Sequence, residues 1–554
     1  MIARSWLGKL GLRRLVGVLC LIAMAGACTR GGPAGAIPPK GPAKLDQLRG
    51  WWHHDVFYEA FVRSFADSNG DGVGDLAGLT AHLDYLNDGD PRTGNDLGVD
   101  SIWLMPVYPS PSYHGYDVTD YRNINPQYGS LYDLDHLLAE AHRRGMHVIL
   151  DFVLNHTSDQ HPWFLSSRGS RKSPYRDYYV WKDAAPDWKR PWDGAAVWHS
   201  DLFGSYYGLF ANTMPDLNLA NHKVEAEMLD IMRFWLKRGV DGFRVDAARY
   251  LIEGPDGTMA DYPETFALVR RIRAALAKEY PGALLVAEAW AGMREIAPYY
   301  DGGQGFDMAF SFDFSTAIQA ALEQGTAGRL KGILLTTSEF LDDPTFAAPF
   351  VSNHDMVRSM RSFEGNWAKA RLAFATLMAW PGTPFVYYGE EIGMQGGPSE
   401  KDEDKRTPLR WDRQAPGYGF TRAGKMWSRA TEEAFGVDVE TQQADPGSLW
   451  HLYQSLIALR HSRPALMAGR SDLPTIDDSD PALLAMTRSV RDQAVLFVAN
   501  YSARATGPFS VSTLGKAQLL EGEGLTGDVV SHSGAVDFGG LTGYGYAFVL
   551  MDKR

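Results

Sequence analysis

From Trp51 onward, short apolar runs alternate with longer stretches whose apolar positions recur every three or four residues. The short runs fall near Val56-Phe61, Ser101-Met105, His147-Val153, Gly242-Val245, Leu284-Ala287, Phe306-Ala309, Pro349-Val351 and Phe385-Tyr388. Such runs, joined by helical patterns such as Val224-Arg238 and Glu264-Tyr280, read as βα units with a parallel sheet. Eight of them are what a closed (β/α)8 TIM barrel needs. One connection, from Asn155 to Leu217 after the third run, is far too long for a plain loop. Beyond about residue 465 the pattern turns to short β-rich runs, including Ala494-Asn500 and Ala547-Met551, separated by Gly. The expected organisation is an α/β barrel over 47–156 and 217–464, an inserted domain B over 157–216, and a C-terminal antiparallel β-sandwich domain over 465–554.

The beginning of the chain reads differently. Arg4, Lys9, Arg13 and Arg14 precede an apolar stretch from Leu15 to Ala23, followed by Ala25-Gly26-Ala27-Cys28. Residues 1–28 are therefore expected to be an export signal, too short for a membrane-spanning helix. Small residues before Cys28 resemble a bacterial lipoprotein signal, with Cys28 lipidated, although Ala25 stands where Leu is usual. The alternative is ordinary secretion with cleavage nearby. Residues 29–46, rich in Gly and Pro, read as a flexible tether. The other cysteine, Cys20, lies inside the signal, so the mature chain is expected to hold no disulfide. The location implied is periplasmic or cell-surface, with the membrane reached only through the lipid.

Charge narrows the partners. A net charge of −13 argues against nucleic acid and against an anionic membrane face. A neutral, hydroxyl-rich substrate fits, and with 12% aromatic residues there are many rings to stack on it. The chain is expected to act as a monomer.

Three carboxylates end apolar runs: Asp246 in Gly242-Phe243-Arg244-Val245-Asp246, Glu288 after Leu284-Leu285-Val286-Ala287, and Asp355 in Val351-Ser352-Asn353-His354-Asp355. A buried strand rarely ends in a bare acid unless that acid works or is paired. Three such ends suggest strands of one barrel converging at its carboxyl-end mouth. Arg244 and Asp246, two apart, point to the same side, and a guanidinium there favours the ionised carboxylate a nucleophile needs. The structural alternative is an Arg–Asp pair in the barrel core. The apolar setting of Glu288 suits a proton donor. Asp355, in a polar cluster, is suited to hold sugar hydroxyls; His156 and His354, also at strand ends, read as hydrogen-bond donors to the same sugar, the alternative being satisfied structural histidines. Two carboxyl groups flanking a scissile bond are the requirement of glycoside hydrolysis.

Seven short motifs in order make the chain resemble the α-amylase family, glycoside hydrolase family 13. They are Gly98-Val99-Asp100-Ser101-Ile102-Trp103-Leu104, His114-Gly115-Tyr116-Asp117, Asp151 to His156, Met214-Pro215-Asp216-Leu217-Asn218, Gly242 to Asp246, Glu288-Ala289-Trp290, and Asn353-His354-Asp355. The resemblance implies a retaining mechanism with Asp246 as nucleophile, Glu288 as general acid/base and Asp355 as transition-state stabiliser. It also implies that Tyr116 stacks under the sugar at the cleavage subsite. Asp117 would support that loop, and Arg244, His156 and His354 would hold the nucleophile and sugar. The motif from Met214 to Asn218 resembles a subgroup intermediate between oligo-1,6-glucosidases and neopullulanases. Ala247, the small residue after Asp246, resembles the α-1,4-acting members, so the expected substrate is starch or maltodextrin. Rival expectations are a transglycosylase or isomerase, an α-1,6-active glucosidase, or a non-catalytic glucan-binding lipoprotein.

Asp67-Ser68-Asn69-Gly70-Asp71-Gly72-Val73-Gly74-Asp75 alternates oxygen side chains around a Gly turn, like the first half of an EF-hand loop. Gly78 stands where an EF-hand has its bidentate Glu, so this is not an EF-hand. Members of the α-amylase family carry a similar Ca²⁺-binding loop. The expected ligands of a structural Ca²⁺ are Asp67, Asn69, Asp71, the Val73 carbonyl and Asp75. In the insertion, Trp163, Phe164, Tyr178, Tyr179, Trp181, Trp188, Trp192 and Trp198 divide between glucose stacking and a local core. The charged stretch from Glu400 to Arg406 reads as a solvated loop after the last strand, the alternative being a border of the acceptor side of the cleft.

Overall fold

The computed structural model describes residues 50–552, apart from 342–343, 400, 429–432, 435, 492, 514 and 533. The expected signal, tether and lipidated Cys28 lie outside the described residues. Eight strands form the barrel: Phe57–Ala60, Ser101–Leu104, His147–Phe152, Gly242–Val245, Leu284–Ala287, Met308–Phe310, Ala347–Ala348 and Phe385–Tyr387. They pair in parallel in chain order, and the first also pairs with the eighth, Phe57 opposite Phe385. A parallel bridge from Phe350 to Phe385 closes the ring.

The seventh strand begins two residues before the expected Pro349-Val351. Proline has no N–H to give a ladder, and beyond Ala348 the pairing is reduced to the bridge at Phe350, where the Pro349 carbonyl accepts from Phe385 N at 2.9 Å.

Period-two alternation decides what fills the barrel. Phe57, Ile149, Leu284, Val286 and Phe385 point inward with Trp103 and Met308 in one apolar cluster. Two residues further along their strands, the inward side chains become Glu59 and Asp151, and Arg244 lies across from Asp151 in the ladder. The barrel is therefore oily at depth and ionic near its carboxyl end. Gly242 is needed at the strand contact, because a Cβ there would lie 2.4 Å from the Leu284 carbonyl oxygen.

The outer helices follow their sequence signals. His222–Arg238 begins at Asn221, whose side chain accepts from Lys223 N, and ends at Gly239 with φ +105°. Its buried face carries Val224, Met228, Ile231, Met232, Trp235 and Leu236, the three-and-four spacing of an amphipathic helix. The insertion after the third strand holds a small antiparallel sheet of Trp181–Lys182, Gly204–Tyr207 and Trp198–Asp201. After Gly469, a five-stranded and a three-stranded antiparallel sheet share one apolar core containing Leu496, Val498, Val511 and Phe538.

Candidate active site

Asp246 and Glu288 each lie just past the end of a barrel strand, in step with the inward-facing Arg244 and Val286. The Arg244 guanidinium ties the mouth together. It donates to Asp246 Oδ1 at 2.6 Å and to both oxygens of Asp151 at 2.9 and 3.1 Å, and it lies 3.6 Å from Glu288 Oε2. Arg244 and Asp151 are almost completely buried, so each compensates the other's desolvation. Ala247 adopts a left-handed backbone, φ +51°, which turns its N–H onto Glu288 Oε2 at 2.8 Å.

Burial pushes the Glu288 carboxyl up to about 6, with Arg244 opposing and Asp246 and Asp355 reinforcing the rise. Asp355 behaves oppositely. Burial would raise it, but His354, Arg406 and Arg244 outweigh that and hold it well below the usual carboxylate range. His354 Nε2 lies 3.0 Å from Asp355 Oδ2, and Arg406 donates to Asp355 Oδ1 at 2.8 Å. Two carboxyls within one pocket are thus biased toward opposite protonation states.

The remaining expected site residues surround this core. The Tyr116 hydroxyl donates to Asp151 at 2.9 Å and lies 2.7 Å from His354 Nε2. Asp117 is buried and accepts from the hydroxyls of Ser110 and Ser112, which holds its loop. His156 is buried with burial lowering its basicity, Asp246 opposing, and the Tyr116 carbonyl close by. Its ring meets Phe210 at 5.4 Å, and Phe210 packs on half-exposed Trp192. Phe164 and Tyr179 are buried instead in the apolar cluster that continues into the barrel, and Trp198 in a smaller cluster of the insertion with Val197, Tyr207 and Leu209.

The expectation of a solvated 400–406 loop is overturned for Arg406. It is 2% exposed, reaches the His354 carbonyl as well as Asp355, and is accompanied by Lys405, which donates to the Asp355 carbonyl. Glu59 and Asp151 were also missing from the expected residues. Their signal was present, because each is a lone acid inside an apolar run.

The loop from Asp67 to Asp75 is stitched by its own side chains. Asp67 accepts from the N–H groups of Asn69, Gly70 and Gly72, Asn69 from Asp71, and Asp71 from Val73. Asp75 accepts from Ser68 and caps the following helix at Gly78 N. Gly72 has φ +90°, and a Cβ there would strike the Lys425 carbonyl. The donor set is all oxygen, which fits a hard cation such as Ca²⁺. Among the described residues, no group of three or more His, Cys, Asp or Glu side chains is drawn together to hold a metal.

An eight-stranded parallel barrel with paired carboxyls at its mouth defines the class, a sugar-cleaving barrel enzyme. The model of the α-amylase catalytic domain matches residues 59–469. Alpha-amylase 3 of Dictyoglomus thermophilum is 38% identical over 455 residues, covering 81% of this chain and 85% of that protein. An oligo-1,6-glucosidase of Heyndrickxia coagulans is 35% identical over 524 residues, covering 82% and 92%. The crystal structure of an α-amylase from H. orenii superposes with a TM-score of 0.78 at 36% identity, covering 90% of this chain and all of that one. The chain belongs to the α-amylase family, glycoside hydrolase family 13, and is an α-amylase-like glycoside hydrolase.

Proposed function

We propose that this enzyme is a retaining hydrolase of α-1,4-glucosidic bonds in starch or maltodextrins. Asp246 attacks the anomeric carbon while Glu288 gives its proton to the departing glycosidic oxygen. Glu288 then takes a proton from water, whose oxygen displaces Asp246 and restores both groups. Asp355 stabilises the positive charge that develops on the ring, and Tyr116, His156, Arg244 and His354 hold the sugar and nucleophile. The observation carrying this reading is the opposed setting of the pair: Asp246 bonded to a buried guanidinium, Glu288 pushed up to about 6 by burial. Ala247 and the similarity to an enzyme named as an α-amylase support α-1,4 bonds. The similarity to an enzyme named as an oligo-1,6-glucosidase is the observation favouring a second reading, α-1,6 cleavage.

The protein is further proposed to carry Ca²⁺ on the Asp67–Asp75 loop, the ion drawing in Asp67, Asn69, Asp71, Asp75 and the Val73 carbonyl. It is also proposed to be exported and anchored through lipidated Cys28.

A proton NMR time course with maltoheptaose tests the central claim. Shorter products appearing first as the α-anomer are expected. Longer oligosaccharides without new reducing ends would replace hydrolysis by transfer. Turnover of isomaltose with none of maltoheptaose would replace α-1,4 by α-1,6.

A further inference from the structure

His354 is enclosed by groups that accept protons. Its Nδ1 lies 2.5 Å from Glu59 Oε1, and its Nε2 lies 3.0 Å from Asp355 Oδ2 and 2.7 Å from the Tyr116 oxygen. The Tyr116 proton is committed elsewhere, to Asp151 Oδ2. Both ring nitrogens therefore face acceptors, and satisfying both requires a proton on each. Glu59 and His354 are 2% and 0% exposed, so an unmatched charge on either would be costly. The other charged groups packed near this ring are Asp151 from the third strand, Arg244 from the fourth and Arg406 from the loop after the eighth.

We infer that Glu59 is a positioning residue for the reaction: it holds His354 as an imidazolium and offsets that charge, leaving the negative charge of Asp355 available to the sugar ring. Asp355 faces three cations, His354, Arg406 and Arg244, the last of them bonded to Asp151 and Asp246. Without Glu59 the imidazolium would have no carboxylate of its own and would draw on the Asp355 charge, weakening the potential that favours a developing oxocarbenium ion. With Glu59 present, the carboxylates of Glu59 and Asp355 match His354 and Arg406, while Arg244 is taken up by Asp151 and Asp246. The hydrogen-bond chain also runs on from His354 through Tyr116, Asp151 and Arg244 to Asp246. Glu59, on the first strand, thereby helps fix the orientation of groups on the far side of the pocket. Burial alone would push His354 down, but Asp355 and Glu59 reverse this and raise it to about 9.

The inference builds on the role given to Asp355 above, and its test separates the two. The full-length protein carrying ¹⁵N-histidine is titrated by NMR, with His354→Gln used to assign the signal. Both His354 nitrogens are expected in the imidazolium range at pH 7.5; a neutral ring there would overturn the inference, whatever the enzyme's activity. In Glu59→Gln, of nearly the same shape, the His354 midpoint is expected to fall by about one pH unit or more. Its kcat should fall on the order of 10- to 100-fold with little change in KM, the signature of lost transition-state stabilisation. Glu59→Asp, which restores the charge, should recover part of both. An unchanged midpoint in a folded Glu59→Gln protein would overturn the relay. Activity retained in Asp355→Asn would instead remove the role of Asp355 and leave the His354 titration standing.

Discussion

Glu288 shows how much one side chain owes to its surroundings. Its apolar approach is written in Leu284-Leu285-Val286-Ala287, but its proton affinity depends on burial, on Arg244 and on two neighbouring carboxyls. A general acid must enter the reaction protonated, so a group raised to about 6 is competent below that pH and loses its proton as pH rises through it. The kcat/KM profile is expected to show an alkaline limb starting near that value. Glu288→Gln should lower kcat by about 10²–10⁴-fold and abolish that limb; an unaltered limb in the variant would assign it to another group. Asp246, Glu288 and Asp355 were legible because acids seldom close apolar runs. Arg406 was not: among Lys401, Asp402, Glu403, Asp404 and Lys405 it looks like one more solvated charge, and only the fold turns it inward.

Among the elements, helices and strands with strong periodicity were legible, whereas the seventh strand was displaced by a proline that cannot donate. The Asp67–Asp75 loop is the element whose chemistry is most open to direct test. Its oxygens accept from their own backbone and from the Ser68 and Thr421 hydroxyls, and a bound cation would add to the folded state alone. At calcium about a hundredfold above its dissociation constant, that linkage amounts to about 2.7 kcal/mol. Chelation is therefore expected to lower the melting temperature of the native protein and to leave Asp67→Ala unmoved. Unchanged melting of the native protein after verified calcium removal would refute the calcium loop.

For the whole molecule, attachment and catalysis are separable in the sequence. The proposed lipidation of Cys28 makes membrane association depend on that residue. In a bacterial host, native protein should sediment with membranes and Cys28→Ser should appear in the soluble fraction, with equal kcat on maltodextrin. Identical fractionation of the two would exclude the anchor. The sequence by itself determined the barrel, because period-two and period-3.6 patterns are local, and the three acids at its mouth, because each stands out against its own neighbours. Only the tertiary structure decided the charge balance among Glu59, Asp151, Arg244, His354 and Arg406. Those partners lie far apart along the chain, and an ionisation state depends on distance and dielectric, which chain order does not contain.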